Sequence, residues 1–326
     1  MLPSGTKWRG QLPTHGPTLE SELLDEGRIM LVSLNRPQGL NAMNDEMQDD
    51  LSRLFDHFEA DVTIWVAILT GNSTGSVKAF CAGQDLKEWS KKSNQSQVDQ
   101  LLENPNGFGS LSRRHSRKPI IAAVDGLCLG GGMELILNCD LVVATKNSLF
   151  GLPEVSKGVI ASQGGIPRLL YQSGRVLASE LLFLGKPISA NEALNRFRII
   201  NRVVPSSNEL LPAAMKLARQ ITANSPSAVQ LSKLTLLETL RRGHEEFLNL
   251  TQLEKLKTEA LKLGKGIEQS TVASILRDEF DDLCKSPDSK EGLKSFSEKR
   301  RPIWINPASR PASSNGKLST SRHPKL

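Results

Sequence analysis

The chain has 326 residues, 38% of them hydrophobic, and a formal net charge of +6. That length allows one large domain with an appendage or two modest domains, either with a sizeable apolar core. No run approaches the roughly 18 uninterrupted apolar residues of a membrane-spanning helix, and the basicity is local: Lys285–Leu326 holds ten Lys or Arg against three Asp or Glu, leaving the preceding 284 residues at about −1, which argues against a whole-domain nucleic-acid footprint.

In chain order, Pro3, Pro13 and Pro17 with Gly5, Gly10 and Gly16 make residues 1–18 read as a flexible leader. A mitochondrial address is disfavoured, because Glu20, Glu22, Asp25 and Glu26 follow closely. Ile29–Leu34 reads as a strand, Asn44–Phe58 as an amphipathic helix and Ile64–Thr70 as a continuously buried strand. The rhythm continues with strands at Ile120–Gly126 and Leu141–Thr145, so the expected class is α/β with parallel strands over 19–205. After about Ser189 the apolar spacing turns helical, through Ala190–Leu194, Glu209–Thr222 and Ser227–Leu250, giving a helical region over 206–301. The Lys/Glu-rich stretch Thr251–Gln269 reads as a solvated helix face. Residues 302–326, rich in Pro, Ser and basic side chains, read as a disordered tail. The four cysteines, Cys81, Cys128, Cys139 and Cys284, lack a disulfide framework, and the five histidines share no ligand spacing, so no metal is implied.

Three segments carry chemistry in combination. In CLGGGMELILNCD, Cys128–Asp140, three glycines follow a strand and open an apolar helix. There the backbone can approach a ligand, and the first helical N–H groups are available to a developing oxyanion. The missing GxGxxG spacing argues against a dinucleotide loop. Glu134 in the first helical turn and Glu154 after Pro153 each have an ordinary explanation as acids at helix starts. The third segment, KAFCAGQDLKEW, offers small residues at Ala82 and Gly83, then Gln84 and Asp85, ahead of a helix and could supply a second oxyanion donor. GNSTG at Gly71–Gly75 fits a GxSxG nucleophile pattern but continues as extended chain, so it reads as no nucleophile elbow.

Taken together, LNRPQGLNAMN, KAFCAGQDL, AAVDGLCLGGGMEL, FGLPEV and GGIPRL resemble the crotonase superfamily, and among its members the enoyl-CoA hydratases and isomerases, in order and spacing over about Ile29–Pro205. A weaker likeness to the closing helix of that family resumes at Ser286–Trp304. The resemblance implies a ClpP-like spiral of ββα repeats, with a helical C-terminal region that joins subunits as a homotrimer or homohexamer. It implies an acyl-CoA substrate, with coenzyme A belonging to the substrate and no separate cofactor. By the same likeness Ala82 and Gly131 donate backbone N–H groups to the thioester carbonyl, Ala82–Asp85 and Gly131 contact substrate, Glu134 and Glu154 flank the acyl Cα and Cβ, and Lys299 meets the CoA phosphates. Hydration needs both carboxylates, whereas isomerisation of Δ3,Δ2-enoyl- or dienoyl-CoA manages with Glu154. One departure is Ser162, where the family has a glycine that helps hold the attacking water.

The terminal Pro324, Lys325 and Leu326 are similar to an S-K-L type address. With the resemblance this suggests a peroxisomal enzyme met by the import receptor, of the kind fungi use in host-selective toxin biosynthesis. Two readings from other classes stand beside it: an RNA-binding protein on a hydratase scaffold, motivated by the basic tail, and a catalytically silent scaffold.

Overall fold

The computed structural model describes residues 11–73, 76–91, 104–248 and 286–306. Its centre is a six-stranded sheet in the order β1 (Leu19–Leu24), β2 (Ile29–Leu34), β3 (Val66–Gly71), β5 (Ile120–Val124), β7 (Leu141–Thr145) and β10 (Arg202–Val204). β1 and β2 form an antiparallel hairpin, and every later pairing is parallel. Strands buried on both faces need apolar side chains in both directions, which is why IMLVSL and IIAAV read as continuous runs. Met30, Val32, Ala67 and Leu69 face one core with Met47, Leu51 and Phe55 of helix α1 (Asp45–Ala60). Ile29, Leu31, Val66, Ile68 and Ile121 face the other, with Ala214, Leu217 and Ala218 of a long C-terminal helix, Ser207–Thr222.

A second sheet holds β4 (Ala79–Cys81), β6 (Leu127–Leu129), β8 (Leu149–Gly151) and β9 (Ile188–Ser189). Its first three strands are parallel, and β9 closes it antiparallel to β8. The chain visits the two sheets alternately. β3 leads to β4 and then α2 (Leu86–Trp89); β5 leads to β6 and α3 (Gly131–Leu137); β7 leads to β8 and, after a short 3-10 turn at Pro153–Lys157, to α4 (Gly165–Leu184). That is a threefold ββα repeat, and β4, β6 and β8 end side by side immediately before Ala82, Gly130 and Leu152. The C-terminal ends of parallel strands are where open α/β sheets bind ligands.

Beyond β9 lie α5 (Ala190–Asn195), α6 (Ser207–Thr222), α7 (Pro226–Leu248) and, after a gap in the described residues, α8 (Pro287–Ser297). The described residues of this region are largely helical, with β10 between α5 and α6. Two boundaries differ from expectation. Residues of the supposed leader are held in place, since Gly16 N–H donates to Asp50 Oδ2 at 2.8 Å and Asn35 N–H to Thr18 O at 2.7 Å. At the other end, Trp304 Nε1 donates to Ala223 O at 2.7 Å and Trp65 Nε1 to Asn306 Oδ1 at 3.0 Å, so the first residues of the supposed tail pack on the body. Indole N–H groups seek such acceptors when their rings are covered. Thr251–Gln269, Cys284 and Pro324–Leu326 lie outside the described residues.

Candidate active site

Gly130, with φ 55° and ψ −126°, turns the chain from β6 into α3. Met133 and Glu134 N–H groups both bond to Gly130 O, at 2.9 and 3.0 Å, while the N–H groups of Gly131 and Gly132 precede the first intrahelical acceptor. Gly83, with φ 96°, lies directly opposite: a Cβ added there would come 3.4 Å from Gly131 N and 3.1 Å from Leu129 O. The loops after β4 and β6 are therefore in contact, and only the missing side chain at Gly83 keeps the ground beside the Gly131 N–H open. Gly131 itself is backed by Phe108, whose ring would meet an added Cβ at 2.6 Å.

The Ala82 N–H is engaged within the chain, donating to Leu40 O at 3.1 Å. To serve a thioester oxygen it must share or exchange that bond. The side chains of Gln84 and Asp85 are occupied with holding the loop. Gln84 Nε2 donates to Met43 O at 3.2 Å, and Asp85 pairs with Arg36 at 3.1 Å while accepting the Lys87 and Glu88 N–H groups as cap of α2. The Asp85 N–H is engaged as well, donating to Met43 O at 2.9 Å.

Two carboxyl groups flank the Gly130–Gly131 turn. Glu134 is 3% exposed, and its Oε1 accepts from Gln163 N–H at 2.8 Å and Gly165 N–H at 2.9 Å. Burial pushes its pKa up to about 7, against the pull of the Gly165 and Gln163 N–H bonds and of Arg168, and with the push of the Glu154 charge. Glu154 comes from the 3-10 turn, and its Oε1 would lie 3.4 Å from a Cβ on Gly130. Burial raises its pKa too, and its Oε2 is covered and has no hydrogen-bond partner among the described residues. Two neighbouring carboxyl groups whose pKa values burial raises are the pattern of acid/base sites.

Glu154 also borders a cavity of about 280 Å³ walled by Leu152, Ile160, Ala161, Leu170, Ala178 and Leu182. At about 30 Å³ per water-sized group it holds roughly nine such groups. Lys299 stands apart from this constellation. It follows α8 with φ 51°, is exposed, and belongs to the segment whose described contacts run to Ala223 and Trp65. Ser162 is exposed at the start of the loop that holds Glu134.

Residues that the sequence reading passed over are those of the segment 104–117. Phe108 supports Gly131, and Ser112 Oγ donates to Gln163 O at 2.7 Å from a fully buried position. The only aromatic residue between Ser90 and Arg117 is Phe108, set between Gly107 and Gly109, and that was the available signal. Among the described residues no group of His, Cys, Asp and Glu is arranged to hold a metal ion.

Comparison with known proteins places this geometry. A family profile described as enoyl-CoA hydratase/isomerase matches residues 25–307. A mevalonyl-coenzyme A hydratase of Beauveria bassiana is 36% identical over 282 residues, covering 85% of this chain and 91% of the relative, and one of Aspergillus fumigatus is 36% identical over 277 residues with the same coverage. The crystal structure of an enoyl-CoA hydratase from Mycobacterium tuberculosis superposes with a TM-score of 0.73 at 32% identity, covering 90% of this chain and 100% of that one. With its ββα spiral and its two-loop site, the chain belongs to the enoyl-CoA hydratase/isomerase (crotonase) family and is an enzyme of acyl-CoA thioester chemistry.

Proposed function

We propose that the protein adds water across the double bond of a short 2-enoyl-CoA, or removes it from the matching 3-hydroxyacyl-CoA. The observation that supports this most is the pair of carboxyl groups on either side of the Gly130–Gly131 turn, with Glu134 poised near pH 7. The thioester oxygen takes the Gly131 N–H and competes with Leu40 O for that of Ala82, which stabilises enolate-like charge. Ionised Glu134 removes a proton from water as its oxygen bonds to Cβ, and protonated Glu154 delivers a proton to Cα; dehydration runs the steps backwards. The cavity beside Glu154 favours a short, branched acyl chain, in keeping with the relatives named for mevalonyl-CoA. The isomerase reading keeps one observation of its own, the unpartnered Glu154 Oε2, which alone suffices for a proton shift between Cα and Cγ.

Assembly and address belong to the same proposal. Ile160 is 66% and Phe183 75% exposed, with Val155 and Leu184 exposed too, apolar side chains that the subunits of a homotrimer or homohexamer would cover. Pro324, Lys325 and Leu326 would carry the protein to peroxisomes through the import receptor, and the secondary-metabolite (toxin) role rests on that address together with the family resemblance. Removing these three residues should release a fluorescent fusion into the cytoplasm with activity unchanged; a fusion that stays in place discards the address.

The reaction is tested with purified protein and trans-2- and trans-3-enoyl-CoA of four to six carbons, with a 3-methyl-branched 2-enoyl-CoA beside them. Loss of the conjugated thioester absorbance with the 2-enoyl substrates establishes hydration. Its appearance with the 3-enoyl substrate alone makes the enzyme an isomerase. Silence with all of them overturns the catalytic reading and favours the RNA-binding and scaffold alternatives.

A further inference from the structure

The two N–H groups that hold Glu134 converge because the backbone between them turns at Gly164, whose φ is 105°. Alternation of this kind makes a small anion-binding nest of successive N–H groups. A nest aims N–H groups inward only while its carbonyls point outward, and here both outward carbonyls are tied down. Gln163 O accepts from Ser112 Oγ at 2.7 Å, and Gly164 O from Arg168 Nη1 at 3.0 Å. Ser112 is fully buried, Gln163 nearly so, and the two lie 51 positions apart in the chain. The Ser112 N–H in turn donates to Phe108 O at 3.0 Å, so one short segment backs both the Glu134 nest and the Gly131 donor.

We propose that Ser112 is a positioning residue for hydration: by fixing the Gln163 carbonyl outward it keeps the Gln163 and Gly165 N–H groups on Glu134, and so sets how readily that carboxylate takes a proton from water. This rests on the hydratase reading above. Without the hydroxyl, the buried Gln163 carbonyl must find another donor; the Gln163–Gly164 peptide joins the peptide that carries the Gln163 N–H to the one that carries the Gly165 N–H, so its reorientation, through ψ of Gln163 and φ of Gly164, changes how the two donors converge on Glu134. Fewer N–H bonds to the ionised carboxylate raise its pKa. The titratable groups that face Glu134 are Glu154 from the 3-10 turn and Arg168 from α4, with Arg113 and the neutral thiol of Cys139 behind Arg168; none of them is altered by substituting Ser112.

The full-length protein tests this with Ser112→Ala and the nearly isosteric Ser112→Cys, a weaker donor. Hydration of trans-2-butenoyl-CoA is followed from pH 5 to 9. Ser112→Ala should lower kcat about tenfold with KM within about twofold, and move the acidic limb of the kcat profile upward by about half a pH unit or more; Ser112→Cys should fall between. An unmoved limb, or parallel changes in kcat and KM with the limb fixed, overturns the proposal. Should the wild-type protein hydrate no substrate, the hydratase reading falls separately. Titration of the Glu134 carboxyl by 13C NMR without substrate then decides on Ser112, and an equal midpoint in Ser112→Ala and wild type rejects it.

Discussion

The two carboxyl groups of the site are held in opposite ways. Glu134 grows from a helix, is sealed from solvent, and has one oxygen fixed by two backbone N–H groups. Glu154 sits on a 3-10 turn followed by exposed residues from Ser156 to Ile160, with one oxygen unpartnered among the described residues. A base that must orient a water gains from being built in advance. An acid that must reach Cα of a substrate entering the adjacent cavity can be completed by that substrate. Burial raises the pKa of both, but only for Glu134 do structural hydrogen bonds from another loop oppose it.

Replacing one carboxylate at a time separates the roles. Glu154→Gln should lower both hydration and isomerisation by about 10² to 10⁴, the usual range for an acid/base group. Glu134→Gln should lower hydration by a similar factor and leave isomerisation within about tenfold. Equal residual rates for the two reactions in both variants would erase the division of labour. Somewhat smaller is the effect expected at the ground the two share. Gly83→Ala puts a methyl 3.4 Å from Gly131 N at a residue with φ 96°, and should cost about 10² to 10³ in kcat, the scale of one lost oxyanion donor. A Gly83→Ala enzyme of wild-type rate would mean that the thioester oxygen sits elsewhere.

How much of this was legible beforehand follows the same divide between local and assembled features. The runs IMLVSL and IIAAV announced buried parallel strands because both faces of each are covered. The three-residue strands β4, β6 and β8 carry too few side chains for any periodicity, so the second sheet was visible only through the family likeness. Within the site, GGG before MEL and PE after a strand were readable as a helix start and a turn; the structure sets Glu154 Oε1 beside Gly130 and Glu134 beside Gly165, close enough for the two charges to interact. That Leu40 O takes the Ala82 N–H depends on a turn with left-handed Leu40 and Asn41; asparagine tolerates that conformation, but nothing about a leucine signals it. Ser112 was invisible for a different reason: its partner is a carbonyl 51 positions away, and a lone serine in a polar spacer has no pattern.

The smallest expected effect, and the one that probes the contrast without substrate, is on stability. The Glu134 pKa is about 7 in the folded protein against an ordinary 4.5, so between those values the native state binds the extra proton. Stability attributable to this group is therefore complete below pH 4.5 and is lost as pH rises through 7, by at most about 3 kcal/mol. Glutamine cannot ionise, so Glu134→Gln should match the wild-type Tm near pH 4 and exceed it by several degrees at pH 8. Glu154→Gln should act in the same direction but by less, because that carboxyl is only half-buried and its ionised form keeps access to solvent. A Glu134→Gln variant that tracks the wild-type Tm across the whole range would show that the nest of Gln163 and Gly165 stabilises the ionised form fully. Glu134 would then be no more strained than Glu154, and the buried base would be as comfortable at neutral pH as the open acid.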